Sequence, residues 1–542
     1  MSHLSIVGQD VHHDLELFTA YSNNYNDTIM HIIDDSLINT RCKQHIIHKL
    51  KHPIYDIEQL RISQQELHKT VLTYQNNMDE TNIISHCIQT NEKDIEWLFD
   101  HSKDEIIDIL DIVYFQMNVF ERLGLNKSSE LLVVKNMYTV LLAPLISFFS
   151  PLMYIIVPYF IIVYKLKFNI PISVFFKTFT KALVQSYAFR KVFFFQCITL
   201  GLSVFMYFQT LLNTLEMAKN NYKVLTHILE KINNIILYID ACERIKYIYN
   251  ISDSDNTISD IKKIVEKCKS LPYHFGYKLW FFRNVDLIKL NKYFDIFDTF
   301  FSKLTLAKVF TKYKMCLTDF VTSENIHINA INTFHISIKN PIPNTIHLNK
   351  SNCIITGPNA AGKSTFIKGV LLNILFSQTY GIACADTFSL TPFYFINSQI
   401  NIPDCKGKQS LFEAEMFRCK QYLDIVSQLP KHLKSINFMD EVFSSTNVIE
   451  GVSGAFGILQ KLSTFTNVCA IVTTHLLYLT KLKSFVKYKM NVNINENDGT
   501  ITFPYKLEKG NSKQLVAIEL IKNNFDSDVI ETALKIKKKL LV

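Results

Sequence analysis

Charged residues vanish from the chain twice in its first half. From Asn136 to Tyr164 no position is charged, and from Val192 to Leu215 none is charged again. At about 1.5 Å rise per residue, each run is long enough to cross roughly 30 Å of hydrocarbon as a helix. The first run contains APLISFFSPLMYIIVPYFIIVY, Ala143 to Tyr164, with Pro144, Pro151 and Pro158 seven residues apart. That spacing puts the three prolines within about 20° of one face, so a helix here bends in one consistent direction. Membrane helices tolerate such prolines where neighbouring groups satisfy the freed carbonyls. A buried core helix is the alternative, and two successive uncharged runs flanked by charge favour the membrane.

Elsewhere the pattern is that of ordinary protein. Residues 1–135 read as helical, with apolar positions three and four apart in EIIDILDIVYFQMNVFERL, and residues 216–345 return to long mixed patterns such as KVLTHILEKINNIILYIDACERI. After Ser351 short apolar strands, CIIT and VCAIVTT, alternate with helical stretches, which predicts an α/β domain over 346–542. The expected order is a helical core (1–135), a membrane segment pair (136–215), a helical lever region (216–345) and the α/β domain.

Composition changes this picture little. The 542 residues carry a net charge of +8. Six of the basic residues, Lys165, Lys167, Lys177, Lys181, Arg190 and Lys191, fall without any acid in one loop between the apolar runs. The excess therefore argues for anionic lipid headgroups more than for nucleic acid, with a solvated loop as the plainer alternative. Eleven cysteines form no CxxC pair, and the amino terminus lacks a signal-peptide pattern, so a reducing compartment is expected.

The chemistry lies in the α/β part. TGPNAAGKST supplies Gly357, Pro358, Asn359, Gly362, Lys363, Ser364 and Thr365 in the spacing GxxxxGK[ST], after a strand and before a helix. A glycine-rich turn in that context aims backbone N–H groups and a helix amino terminus at phosphates. Lys363 is expected to reach the β and γ phosphates and Ser364 to ligate Mg²⁺. SINFMDE predicts a strand ending in Asp440, for Mg²⁺, and Glu441, to polarise the attacking water. AIVTTH ends in His475, positioned to contact the γ-phosphate or the water. Asp-Glu pairs and lone histidines are individually weak signals; their order after the nucleotide loop gives them weight.

These segments together resemble the MutS family of ATPases, whose fold is of the P-loop type shared with ABC proteins. SLFEAEM, Ser410 to Met416, resembles the family's signature segment, and DEVFSSTNVIEG and TTHLLYLTKL resemble its later motifs. KLEKGNSKQLVAIEL resembles the closing segment, with Ala517 where glycine is usual. The resemblance implies ATP and Mg²⁺ as cofactors, a homodimer through the ATPase domain, and Ser410 acting in trans on the partner's nucleotide. Catalysis would rest on Lys363, Glu441 and His475. More weakly, Ile29 to Val71 resembles the start of the family's helical core, although Ile38 and Asn39 replace a Thr-rich pattern.

Two features separate this chain from mismatch readers. The core-like segment begins near residue 29, which leaves no room ahead of it for a mismatch-binding domain, and no Phe has Glu two residues later. The wedge that stacks on a mispaired base is thus missing. The apolar runs fall where the family's levers carry a DNA clamp, which suggests a membrane hairpin in its place and a membrane localisation with a cytosolic ATPase domain. A DNA-binding ATPase of the repair or recombination type is the alternative. If both runs span, the basic loop lies opposite the ATP site, against the positive-inside rule; monotopic insertion avoids the conflict, and both modes stay open here.

Overall fold

The computed structural model describes residues 6–99, 112–116, 123–186, 190–251, 265–266, 275–400, 411–444, 446–494, 501–512, 514, 517–520 and 526–540. Most of EIIDILDIVYFQMNVFERL and the signature residue Ser410 lie outside them. The chain forms two units: residues 1–82 with 296–542, and residues 83–295.

The first unit opens with α1 (Val11–Asp14), α2 (Ile29–Asp34), α3 (Thr40–Lys51) and α4 (Ile57–Asn76). Each of the last three starts on a side chain that accepts a hydrogen bond from the first turn: Thr28, Asn39 and Asp56. Asn39 also donates to Asp298 at 2.6 Å, and Arg41 pairs with the same buried carboxylate at 2.7 Å. Asn39, which departs from the family's pattern, is therefore both a helix cap and part of a buried polar knot.

Among the described residues one sheet has five strands: β1 (Cys316–Phe320), β2 (His327–Thr333), β3 (Asn344–Asn349), β5 (Ile382–Ala383) and β6 (Thr387–Leu390), in the order β3-β2-β6-β1-β5. β1, β2 and the start of β3 correct the helical reading of 216–345: the strands begin some thirty residues before the expected boundary, because their partner β6 comes from beyond it. A second has six: β4 (Asn352–Thr356), β7 (Phe395–Gln399), β8 (Ser435–Asp440), β9 (Val468–Thr474), β10 (Phe485–Met490) and β13 (Leu507–Lys509), in the order β13-β10-β4-β9-β8-β7. Two short strands, β11 (Asn493–Ile494) and β12 (Ile501–Thr502), pair with each other. In the six-stranded sheet only β13 is antiparallel. The carboxyl ends of β4, β7, β8, β9 and β10 consequently share one edge, the edge where parallel α/β sheets hold their ligands.

Burial explains the sequence of these strands. Every residue of β4 and β9 is buried, which matches their continuous apolar runs. The polar Asn437 in the middle of β8 is fully buried; its side-chain oxygen accepts from the Asn397 amide on β7 at 2.9 Å, while its own amide nitrogen has no hydrogen-bond partner.

The second unit is helical where described, with α6 (Ser129–Met137), α7 (Ala143–Phe160), α8 (Ile172–Ser186), α9 (Arg190–Tyr249) and α10 (Phe275–Asn284), and it includes most of α5 (Met78–Phe99). The prolines do not break α7. Pro151 and Pro158 lie inside it, and π-helical turns flank it at Tyr138–Leu142 and Ile161–Lys165. The first π turn contains Val140, the carbonyl that Pro144 leaves without a donor and crowds. Among the described residues two helical segments, Ser129–Met153 and Ile198–Tyr249, are long and apolar enough to cross a membrane. The 60 residues of α9 change character along their length: Leu200, Val204, Phe205 and Phe208 are exposed, whereas Ile228, Ile232, Ile235 and Ile239 are fully buried.

Candidate nucleotide site

The turn between β4 and α12 (Lys363–Tyr380) is held by close approaches. A Cβ on Gly357 would lie 2.3 Å from the Met490 carbonyl oxygen. Gly362 takes φ +93°, where other residues are strained, and a Cβ there would press 3.0 Å from the Tyr505 ring. Ala360 accepts a left-handed φ of 64° without being glycine, at a cost of about 1–2 kcal/mol. This turn leads into the amino terminus of α12, where unpaired N–H groups and the helix dipole favour anions.

Lys363 is buried, with Nζ 3.0 Å from the Pro358 carbonyl and 3.3 Å from a Glu441 carboxylate oxygen. The Ser364 hydroxyl lies beside the Asp440 carboxylate at the end of β8. Thr473 on the neighbouring β9 donates its hydroxyl to Asp440, and the Glu441 N–H donates to both the Thr473 carbonyl (3.1 Å) and its hydroxyl oxygen (3.2 Å). Burial pushes the Asp440 carboxyl above the usual range; the Ser364 and Thr473 hydrogen bonds oppose that shift, the Glu441 charge adds to it and Lys363 opposes it.

Lys363, Ser364, Asp440 and Glu441 line a cleft of about 790 Å³ together with Asn359, Thr365, Gln399, Glu415 and Tyr505. His475 stands apart: it is exposed, just past the carboxyl end of β9, and is not among the lining residues. A second cavity of about 350 Å³, mostly apolar, is lined by Phe334, Ile342, Phe366 and Met490 and shares Gly362, Thr365 and Tyr505 with the first.

The carboxylate loop after β8 is strained and clamped. Glu441 (φ 46°) and Phe443 (φ 60°) both occupy the left-handed region. The Phe443 N–H donates to Glu415 at 2.8 Å, its ring meets Phe412 edge-on at 5.4 Å, and Gly451 leaves room for the Phe443 carbonyl, which would lie 2.4 Å from a Cβ there. Burial raises the Glu415 carboxyl, and the Phe443 N–H opposes the rise. Phe412 and Glu415 belong to α13 (Leu411–Gln428), so the helix that opens with the signature segment braces the Asp-Glu loop.

Sequence reasoning overlooked Thr473, Gln399, Glu415 and Tyr505. Thr473 and Glu415 were visible inside the quoted motifs, but only the pairing of β8 with β9 and the packing of α13 reveal what they hold.

The model of MutS domain V matches residues 353–541. The DNA mismatch repair protein MutS of Streptococcus agalactiae is 29% identical over 192 residues, covering 34% of this chain and 22% of the relative. That of Streptococcus gordonii is 30% identical over 186 residues (33% and 21%), and that of Streptococcus pneumoniae 29% over 205 (37% and 24%). The carboxy-terminal third belongs to the MutS family. The matches span less than a quarter of these MutS proteins' lengths, and the first half of the chain, with its apolar helices, lies outside the matched MutS domain.

Among the described residues no group of three or more His, Cys, Asp or Glu side chains is placed to hold a metal ion. The Ser364 hydroxyl beside the Asp440 carboxylate fits Mg²⁺ nonetheless, because that ion takes few protein oxygens and fills its shell with phosphate and water.

Proposed function

We propose that the chain is a membrane-associated, MutS-type ATPase that hydrolyses ATP at a site shared between two copies and uses the cycle to move its helical levers. The convergence of Lys363, Ser364, Asp440 and Glu441 on one cleft carries this reading. The P-loop amides of Gly357 to Thr365, Asn359 among them, and Lys363 bind the phosphates, and the apolar cavity beyond Tyr505 takes the base. Ser364 and Asp440 hold Mg²⁺, which when bound neutralises charge on the phosphates. Glu441, released from Lys363 as phosphate takes that ammonium, orients water for attack on the γ-phosphorus; the bond to the β-γ bridging oxygen breaks and ADP and phosphate leave. Ser410 completes the partner's site in trans, and His475 contacts the γ-phosphate or the water.

The membrane half of the reading rests on the exposed apolar helices and on the absence of any acid between Glu130 and Glu216. Lipid is then the partner of the hairpin, and the ATPase domain faces the cytosol. The second reading, a DNA-binding ATPase, is favoured only by the names of the MutS relatives, and mismatch-specific binding is not part of it.

Glu441→Gln tests the chemistry. ATP binding is retained, the dimer is trapped, and hydrolysis falls by about 100-fold or more; equal rates for variant and parent remove Glu441 from its role. Retention of the parent in the membrane pellet through an alkaline carbonate wash tests the location, and release into the supernatant returns the apolar helices to a protein interface.

A further inference from the structure

Asp440 and Glu441, the carboxylates at the end of β8, are both tied to one side chain on the neighbouring strand. β8 and β9 run parallel, and their register sets Asp440 opposite Thr473. The Thr473 hydroxyl donates to an Asp440 carboxylate oxygen, and the same hydroxyl oxygen accepts from the Glu441 N–H at 3.2 Å. A hydroxyl has one proton to give, and here it goes to the carboxylate. The Glu441 N–H also meets the Thr473 backbone carbonyl at 3.1 Å, a contact that any residue at this position keeps. What the side chain adds is therefore the bond to Asp440 and a second anchor for Glu441, whose backbone sits in the left-handed region at φ 46°.

On the β7 side the groups facing the cleft are engaged elsewhere. The amino-terminal arm joins that edge of the sheet, where Val7 bridges Ile396, and brings Tyr21 to the cleft. The Tyr21 phenol lies 2.6 Å from His13 Nδ1 and donates toward Asp14 at 3.5 Å. Gln399, at the end of β7, accepts from the Cys419 thiol at 3.2 Å. Two hydroxyls thus stand beside the Asp440 carboxylate with different tasks: Ser364 from the P-loop helix and Thr473 from within the sheet. Ser364 lines the cleft; Thr473 is fully buried and is not among the lining residues, so it acts only through the residues it holds.

We propose that Thr473 is a positioning residue for Mg²⁺: its hydroxyl holds Asp440 with the carboxylate beside Ser364 and so sets the affinity of the nucleotide site for the ion. The assignment rests on the reading of the cleft as a Mg²⁺-ATP site. A carboxylate that ligates a metal is itself hydrogen-bonded by an outer partner, which fixes its orientation before the ion arrives. Thr473 is that partner. Without the hydroxyl the Asp440 oxygen loses a buried donor, and the carboxylate is free to turn away from Ser364.

The test is Thr473→Val in the full chain, which keeps the branched shape that suits a strand and removes the hydroxyl. Binding of a fluorescent, non-hydrolysable ATP analogue is titrated over a series of Mg²⁺ concentrations and again in EDTA. The Mg²⁺ concentration for half-maximal binding rises by about tenfold or more, the range for loss of an outer partner of a metal ligand, while the affinity in EDTA stays that of the parent. Thr473→Ser, which keeps the hydroxyl, matches the parent in both measurements. A parent-like Mg²⁺ requirement in Thr473→Val overturns the assignment. So does an equal loss with and without the ion, or a Thr473→Ser that behaves like Thr473→Val, since either assigns the residue to packing alone. If Thr473→Val does not fold, Thr473→Ala is titrated against the same outcomes. A parent chain that binds no nucleotide, or binds it equally well in EDTA, removes instead the Mg²⁺-ATP reading beneath the assignment.

Discussion

Helices α12 and α7 are each eighteen residues long and apolar on every side, and they live in opposite surroundings. Every residue of α12 from Gly369 to Tyr380 is buried, whereas Leu145, Ile146, Phe148, Phe149 and Leu152 of α7 are each about half exposed. Most of their polar residues bond differently, although Thr379 of α12 returns to the Leu375 carbonyl of its own helix and Tyr159 of α7 reaches the Ile170 carbonyl outside it. In α12, Asn373 accepts from Cys384 N–H (2.7 Å) and donates to Thr333 (2.9 Å), Gln378 exchanges hydrogen bonds with the backbone of Phe393, and Tyr380 donates to the Ile46 carbonyl. In α7, Ser150 turns back to the Ser147 carbonyl on its own helix. Ser203, Thr210 and Thr214 of α9 do the same. A helix among protein neighbours can send its polar groups outward, while one in hydrocarbon must satisfy them internally.

The largest effect expected from this contrast comes from a charge placed on the exposed helix. Phe149→Lys puts an ammonium in the middle of the uncharged run, at a cost of about 2.5–3.5 kcal/mol by insertion scales, and abolishes retention after alkaline carbonate wash. A variant retained like the parent would mean that α7 does not face lipid. In α12, Leu371→Ala removes a fully buried side chain and costs about 2–5 kcal/mol, read as a lowered thermal midpoint; a change under about 1 kcal/mol would break the claim that α12 is a core helix. The smallest effects compare polar groups. Asn373→Ala strands the Cys384 N–H and costs about 1–3 kcal/mol, while Ser150→Ala stays within about 0.5 kcal/mol in the same unfolding measurement. Similar losses for the two would erase the distinction between outward and inward satisfaction.

Much of the cleft around the GxxxxGK[ST] turn was legible because its signals are local. The spacing of Gly357, Gly362, Lys363 and Ser364 fixes a turn and a helix start within ten residues, and the run before Asp440 fixes a strand. The braces around them were not legible. Thr473 reaches Asp440 only because β9 lies beside β8, and Glu415 reaches Phe443 only because α13 packs over the loop. Tyr21 comes to the cleft from more than three hundred residues away, along a sheet edge that no periodicity announces.

By itself the sequence determined that strands and helices alternate after Ser351, where the GxxxxGK[ST] loop and the carboxylates stand, and that two runs are free of charge; it read helix where β1 and β2 lie. Those are consequences of neighbouring residues, since backbone propensity, turn chemistry and side-chain period act over a few positions. Only the tertiary structure decided that α12 is enclosed while α7 is open, that Asn437 in a buried strand meets Asn397, and that an amino-terminal arm joins the edge of the sheet. Burial and hydrogen-bond satisfaction are properties of what surrounds a residue, and for these residues the surroundings come from distant parts of the chain.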